Sequence, residues 1–282
     1  MLEAGARDHI AGFVRAQLTA DGGFRGRAAQ SDLYYTVFGI EVLSALDAVL
    51  PHDALLRYLE GWGAGADLDD LVHVACLARC RARVGGPLPS RWAETVAAKL
   101  ESFRTADGAY GTHRGGPGSV YAGFLAETAY AELGLALPDG RALTGWLARV
   151  RLASGAYADG ATAAAGTTPT TAAAVVLLSC YETQPARDTI DWLLARHDTV
   201  HGGFRATPDA PEPDLLSTAT ALFALATLAV PLAPVRAACT EFVQLLWDET
   251  GGFGGNVLDL TPDCEYTFYA LLALGCMEEA IR

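Results

Sequence analysis

The sequence predicts an all-α fold, an (α/α)6 toroid: a double-ring α–α barrel of about six helix-pair repeats. Three observations carry this. A glycine–aromatic punctuation recurs along the chain, each recurrence separates an amphipathic stretch from a wholly apolar one, and the apolar stretches need covering on all sides.

The punctuation reads Asp21-Gly22-Gly23-Phe24, Asp107-Gly108-Ala109-Tyr110, Ser154-Gly155-Ala156-Tyr157, His201-Gly202-Gly203-Phe204 and Thr250-Gly251-Gly252-Phe253. From residue 108 onward the copies are about 47 residues apart, and the interval from 22 to 108 is nearly twice that. A degenerate copy, Gly61-Trp62-Gly63-Ala64-Gly65, fills its middle. A fixed period of this length marks a repeat architecture. In each repeat an amphipathic helix comes first, as over 91–104 and 186–197, with Ile190, Leu193 and Leu194 on one face. The glycine then permits a tight turn, and the ring plugs the gap between helices. A second helix follows that is apolar nearly all round: 33–46, 120–133, 171–180, 215–228 and 266–274. Such helices must be buried. A closed ring with the second helices inside covers them better than an open solenoid. Their N-termini then gather at one mouth, where the helix dipoles favour anions, around an apolar funnel suited to a ligand. One domain spanning residues 1–282 is expected.

Composition narrows the function. Half the chain is hydrophobic (51%), yet no unbroken apolar run is long enough to span a bilayer. The opening MLEAGARDHI has an early acid and no apolar core, so no secretory signal is expected. A net charge of −13 disfavours nucleic acid. Six scattered cysteines with no CxxC pair read as reduced thiols of a cytoplasmic protein.

Particular stretches resemble a known family. Gly22-Gly23-Phe24-Arg25-Gly26 with Ser31-Asp32-Leu33-Tyr34-Tyr35-Thr36 is similar to a protein prenyltransferase β-subunit repeat, as are 107–111 with 118–125 and 251–255 with 263–269. Gly166-Thr167-Thr168-Pro169-Thr170-Thr171-Ala172 resembles squalene–hopene-type cyclases. These families share the toroid, so the resemblance implies the fold and an isoprenoid ligand more than one activity. It also implies a departure. Thiol prenyltransferases hold zinc on an Asp-x-Cys and a His; here Asp214 is followed by Leu216 at the Cys position, and Tyr266 stands where the His belongs. Zinc is not expected, and magnesium would enter only as a diphosphate counter-ion.

Asp67-Leu68-Asp69-Asp70 is a D-x-D-D pattern resembling the catalytic motif of class II terpene cyclases. The resemblance makes Asp69 the acid that protonates an alkene and starts a carbocation cascade, with Asp67 and Asp70 tuning it. Crowded carboxyls cannot all ionise, which keeps one protonated. His73, one turn on, is placed to hydrogen-bond the group. A plainer reading stands beside this. Asp32, Asp214 and Asp263 precede apolar residues at eight and eleven places, and counting back from Leu77 and Cys80 makes Asp69 the matching helix cap.

Tyr34, Tyr35, Phe38, Tyr121, Phe124, Tyr266 and Tyr269 on the apolar helices are expected to line the funnel, where aromatic faces stabilise cations. The leading reading is therefore a class II-like terpene cyclase acting on a polyprenyl chain or its diphosphate. A second copy of the chain or a helical partner subunit would supply the wall that a second domain usually gives. Two other readings stay open. One is a zinc-independent prenyltransferase-like protein holding a prenyl diphosphate near Arg25, Arg27, His113 and Arg114. The other is a non-catalytic toroid that binds an apolar ligand or a partner.

Overall fold

The computed structural model describes residues 4–279. Among them twelve α-helices account for the regular structure, and strand pairing is limited to isolated bridges. Helices of two kinds alternate. The half-exposed kind comprises α1 (Ala4–Arg15), α3 (His52–Gly61), α5 (Ser90–Glu101), α7 (Gly140–Val150), α9 (Arg187–Leu194) and α11 (Ala233–Leu245). The buried kind comprises α2 (Leu33–Ala45), α4 (Leu71–Val84), α6 (Val120–Glu132), α8 (Thr168–Cys180), α10 (Leu215–Thr227) and α12 (Cys264–Glu279). The buried helices predicted from apolar runs agree with these bounds to within a few residues.

The chain divides into two compact units, Arg15–Arg149, and Val150–Arg282 together with Met1–Val14. Each repeats one packing scheme. In the first, α4 lies between α2 and α6, with α3 and α5 against it; in the second, α10 lies between α8 and α12, with α9 on α8 and α11 on α12.

Each buried helix starts on a polar cap, because its first N–H groups have no partner inside the helix. Asp32, Asp70, Ser119, Thr167 and Asp214 accept from N–H groups two or three residues on, and the Asp263 carboxylate accepts from the Tyr266 N–H at 2.9 Å. Four residues after the cap, a threonine ties the helix to the turn before it. Thr36, Thr171, Thr218 and Thr267 accept the N–H of Phe24, Tyr157, Phe204 and Phe253 at 2.8–3.2 Å. The rings so anchored are fully or nearly fully buried, each worth roughly 1.5–3 kcal/mol of apolar burial. Nothing in the apolar periodicity announces these threonines.

The predicted turn glycines adopt left-handed backbone, φ 90–99° at Gly22, Gly108, Gly155, Gly202 and Gly251. Each backs onto the half-exposed helix of the next repeat. A Cβ on Gly202 would lie 2.3 Å from the Ala238 carbonyl oxygen of α11. A Cβ on Gly251 would lie 2.6 Å from the His9 carbonyl oxygen, so α1 takes for the last turn the place the next helix takes elsewhere.

Candidate functional site

In the Arg15–Arg149 unit, the caps of α2 and α4 meet. Asp70 turns one carboxylate oxygen to the His73 N–H (2.9 Å) and the other to His73 Nδ1 (2.8 Å). His73 Nε2 reaches Asp32 Oδ2 at 3.3 Å, while Asp32 Oδ1 accepts from the Tyr34 N–H at 2.6 Å. Both ring nitrogens thus face carboxylates, an arrangement that suits the doubly protonated ring. The hydrogen bond to Asp32 is the largest influence. It and the Asp70 carboxylate outweigh partial burial and raise the His73 pKa from 6.5 to about 9. Reciprocally, His73 holds the Asp32 carboxyl below its usual range. The cap of α4 is also stitched to the third repeat: the Leu71 N–H donates to the Thr112 carbonyl at 2.8 Å, and Asp70 forms a backbone bridge with His113.

The first turns of α2, directly after the Asp32 cap, carry three aromatic rings. Tyr34 makes edge contacts with Tyr35 (5.5 Å between centroids) and with Phe38 (4.9 Å). Tyr35 lies over Gly26, leaving no room for a Cβ there. Phe38 is nearly buried, Phe124 half-buried, and Tyr121 exposed at the first turn of α6. Further along the same helices an ion-pair group joins α2, α4 and α6. Glu41 pairs with Arg79 at 3.3 Å and Arg83 at 3.2 Å, and Arg83 pairs with Glu132 at 3.0 Å.

The sequence-predicted residues separate on inspection. Asp70 and His73 come together with Asp32, which the sequence marked only as a repeat residue. Asp67 and Asp69 lie exposed just before α4. One expectation is corrected: the cap of α4 is Asp70, not Asp69. Counting apolar positions failed by one residue because the eleventh place after Asp70 is Arg81, while the places counted from Asp69, Leu77 and Cys80, are both apolar. Among the basic residues, the Arg114 guanidinium donates to Ser102 Oγ (3.1 Å) and lies over the Phe103 ring. His113 and Arg27 are exposed, and Arg25 is half-buried. Tyr266 and Tyr269, half-buried, belong to α12 in the other unit. The ion-pair group was missed, although two glutamates and two arginines within these helices are a legible signal.

The zinc of thiol prenyltransferases does not fit these side chains. Leu216 offers no donor. The Asp214 carboxylate is occupied by the Ser217 N–H and hydroxyl, both at 2.7 Å. The Tyr266 ring packs over Gly255. Among the described residues no cluster of three or more His, Cys, Asp or Glu is placed to hold a metal.

The chain matches the family model of the prenyltransferase alpha-alpha toroid domain over residues 2–208 and 220–282. Protein geranylgeranyltransferase-I of Candida albicans, solved with GGPP, superposes with a TM-score of 0.76 at 12% identity, over 98% of this chain and 92% of that one. The type II terpene cyclase MstE of Scytonema does so at 0.67 and 16% identity, over 98% and 97%. A protein from Actinoplanes gives 0.69 and 18%, over 99% of both. No curated protein is significantly similar in sequence. Identities this low carry the fold and not the activity. No described helix is long and apolar enough to cross a membrane. With its paired helices, glycine turns and a family match over nearly its whole length, the chain belongs to the prenyltransferase α–α toroid family.

Proposed function

We propose that this chain is an isoprenoid-handling enzyme of the type II terpene cyclase kind, which protonates an alkene of a prenyl chain and guides the resulting carbocation. The observation that carries this is the Asp32–His73–Asp70 cluster at the start of α2 and α4, with Tyr34 and Phe38 following Asp32 on α2. Two carboxylates around one imidazolium leave an excess of negative charge at the start of the helix that carries these rings. That environment favours a cation and repels a diphosphate. The Scytonema cyclase is matched over 97% of its length and has been solved with geranylgeranyl dihydroxybenzoate. A chain of this size can therefore house such a reaction without a second helical domain.

In this reading Asp69 is the proton donor. A prenyl chain laid against it expels water from the reacting alkene. The Asp69 O–H proton adds to the alkene, leaving a tertiary carbocation that the next alkene attacks. A C–H bond then gives its pair to the last cation and releases a proton, and solvent reprotonates Asp69. The reaction is an isomerisation and needs no redox partner.

Because mass does not change in light water, the test is run in D2O. The chain is incubated with geranylgeranyl dihydroxybenzoate, and separately with geranylgeranyl diphosphate with and without magnesium. Products are followed by chromatography and mass spectrometry. A cyclised product one dalton heavier is expected, lost in Asp69→Asn while thermal stability is kept, since Asp69 is exposed and the cap of α4 is Asp70. Turnover that survives Asp69→Asn removes Asp69 from the donor role. Binding without turnover, or diphosphate release, supports instead the non-catalytic or the prenyltransferase-like reading.

A further inference from the structure

A second polar site lies in the Val150–Arg282 unit, where a cleft of about 240 Å³ is lined by Arg196, His197, Asp198, Thr199, Arg205 and Thr207, among others. In a chain of net charge −13, two arginines on one small cleft call for an explanation. Their hydrogen bonding differs sharply. Arg205 is committed: its Nε and Nη2 donate to Asp198 Oδ2 at 2.9 and 2.6 Å. Asp198 is almost fully buried and also accepts from the Val200 and His201 N–H groups and approaches the His201 ring. Burial opposes its charge, but these partners outweigh it and hold its carboxyl well below the usual range. Arg205 therefore compensates Asp198.

Arg196 is not compensated in this way. Its guanidinium stacks on the Trp192 ring, 4.7 Å from the centroid. Its Nε and Nη1 are buried without a hydrogen-bond acceptor, and the neighbouring His197 Nε2 is buried without a partner. Asp209 attracts it electrostatically but forms no ion pair with it. Buried N–H donors left unmatched cost on the order of 1–3 kcal/mol each, and such groups in a folded protein point to an unseen water or ion. A guanidinium held over an aromatic ring still presents its donors in one plane, which suits a tetrahedral or planar oxyanion. Thr199 and Thr207 line the same cleft, and a threonine hydroxyl can donate to an oxyanion.

We infer that this cleft is an anion site that takes a phosphate-type group, with Arg196 as its principal ligand and Thr199 and Thr207 beside it. The inference stands on residues of one unit and does not depend on the cyclase reading. The test is calorimetric titration of the full chain with inorganic phosphate, and separately with acetate at equal ionic strength. Arg205 is left unaltered, because its removal would strand buried Asp198. Saturable phosphate binding is expected, lost at least tenfold in Arg196→Gln, partly kept in Arg196→Lys, and unchanged in Arg236→Gln, an exposed cation elsewhere in the unit. Circular dichroism checks that the variants fold. Absence of saturable binding, or equal loss in Arg236→Gln, overturns the site in favour of ordered water or general screening. Acetate binding as tight as phosphate overturns the phosphate assignment.

Discussion

At the residue scale, Asp70 uses one carboxylate for two ends: it caps α4 and it charges His73. The direction of the His73 shift fixes how the cluster responds to pH. The folded chain holds the His73 proton more tightly than the unfolded chain, up to about pH 9 against 6.5. Its stabilisation is fully present below pH 6.5 and is lost as pH rises through 9. Asp32 behaves oppositely: its contribution is present above 3.8 and is lost as pH falls through its depressed folded value. Because the ring is about a third exposed, solvent screens the pair, and the net effect is under about 1 kcal/mol. His73→Gln should therefore lower the melting temperature measurably at pH 6 and hardly at all at pH 10. The ring should titrate by NMR near pH 9; a midpoint near 6.5 would mean that it does not sit between the two carboxylates. The sequence made the acidic run and His73 visible. It hid the partner, because Asp32 lies 41 residues from His73 and only the packing of α2 on α4 brings them together.

At the element scale, the glycine turn and the threonine after the cap are the working parts of each repeat. The turn was legible, because glycine before an aromatic at a fixed period has few other uses. The threonine was not, because its hydroxyl acts on a backbone N–H twelve or fourteen residues upstream, a relation no helical period contains. Both roles can be measured at one repeat. Gly202→Ala places a side chain at φ 90° and its Cβ against the Ala238 carbonyl. The backbone strain alone is about 1–3 kcal/mol, and the clash adds to it. Gly61→Ala meets nothing within 4 Å and needs no left-handed backbone, so it should be neutral or slightly stabilising. Thr218→Val keeps the shape but leaves the buried Phe204 N–H without its acceptor, a cost of about 1–3 kcal/mol. Urea unfolding of the three variants should rank them accordingly. If Gly61→Ala proves as costly as Gly202→Ala, the close approach of turn and helix is not what the glycine serves.

At the scale of the whole molecule, repeat proteins differ in what they do with their first helix. An open array needs a polar cap there. Here α1 carries Ile10, Phe13 and Val14, all buried. Its partners lie at the other end of the sequence: Phe13 packs on Gly252, and the His9 ring meets Trp247 edge-on at 5.7 Å. This contact was not legible beforehand, since an amphipathic first helix looks the same whether its apolar face meets the second repeat or the sixth. The physical argument for a closed arrangement, that wholly apolar helices need cover on all sides, nonetheless anticipated that the last repeat would find a neighbour. The consequence is testable by deletion. Burial of three large apolar side chains is worth roughly 1.5–3 kcal/mol each, a sum comparable to the 5–15 kcal/mol that holds an ordinary domain together. Removing residues 1–15 should therefore abolish the cooperative unfolding transition, as read by circular dichroism against temperature. Double substitution of Ile10 and Phe13 by alanine, which keeps the helix, should lower the transition by well over ten degrees. If the deleted chain unfolds cooperatively at an unchanged temperature, α1 is an appendage, and the contact between first helix and last turn contributes nothing to stability.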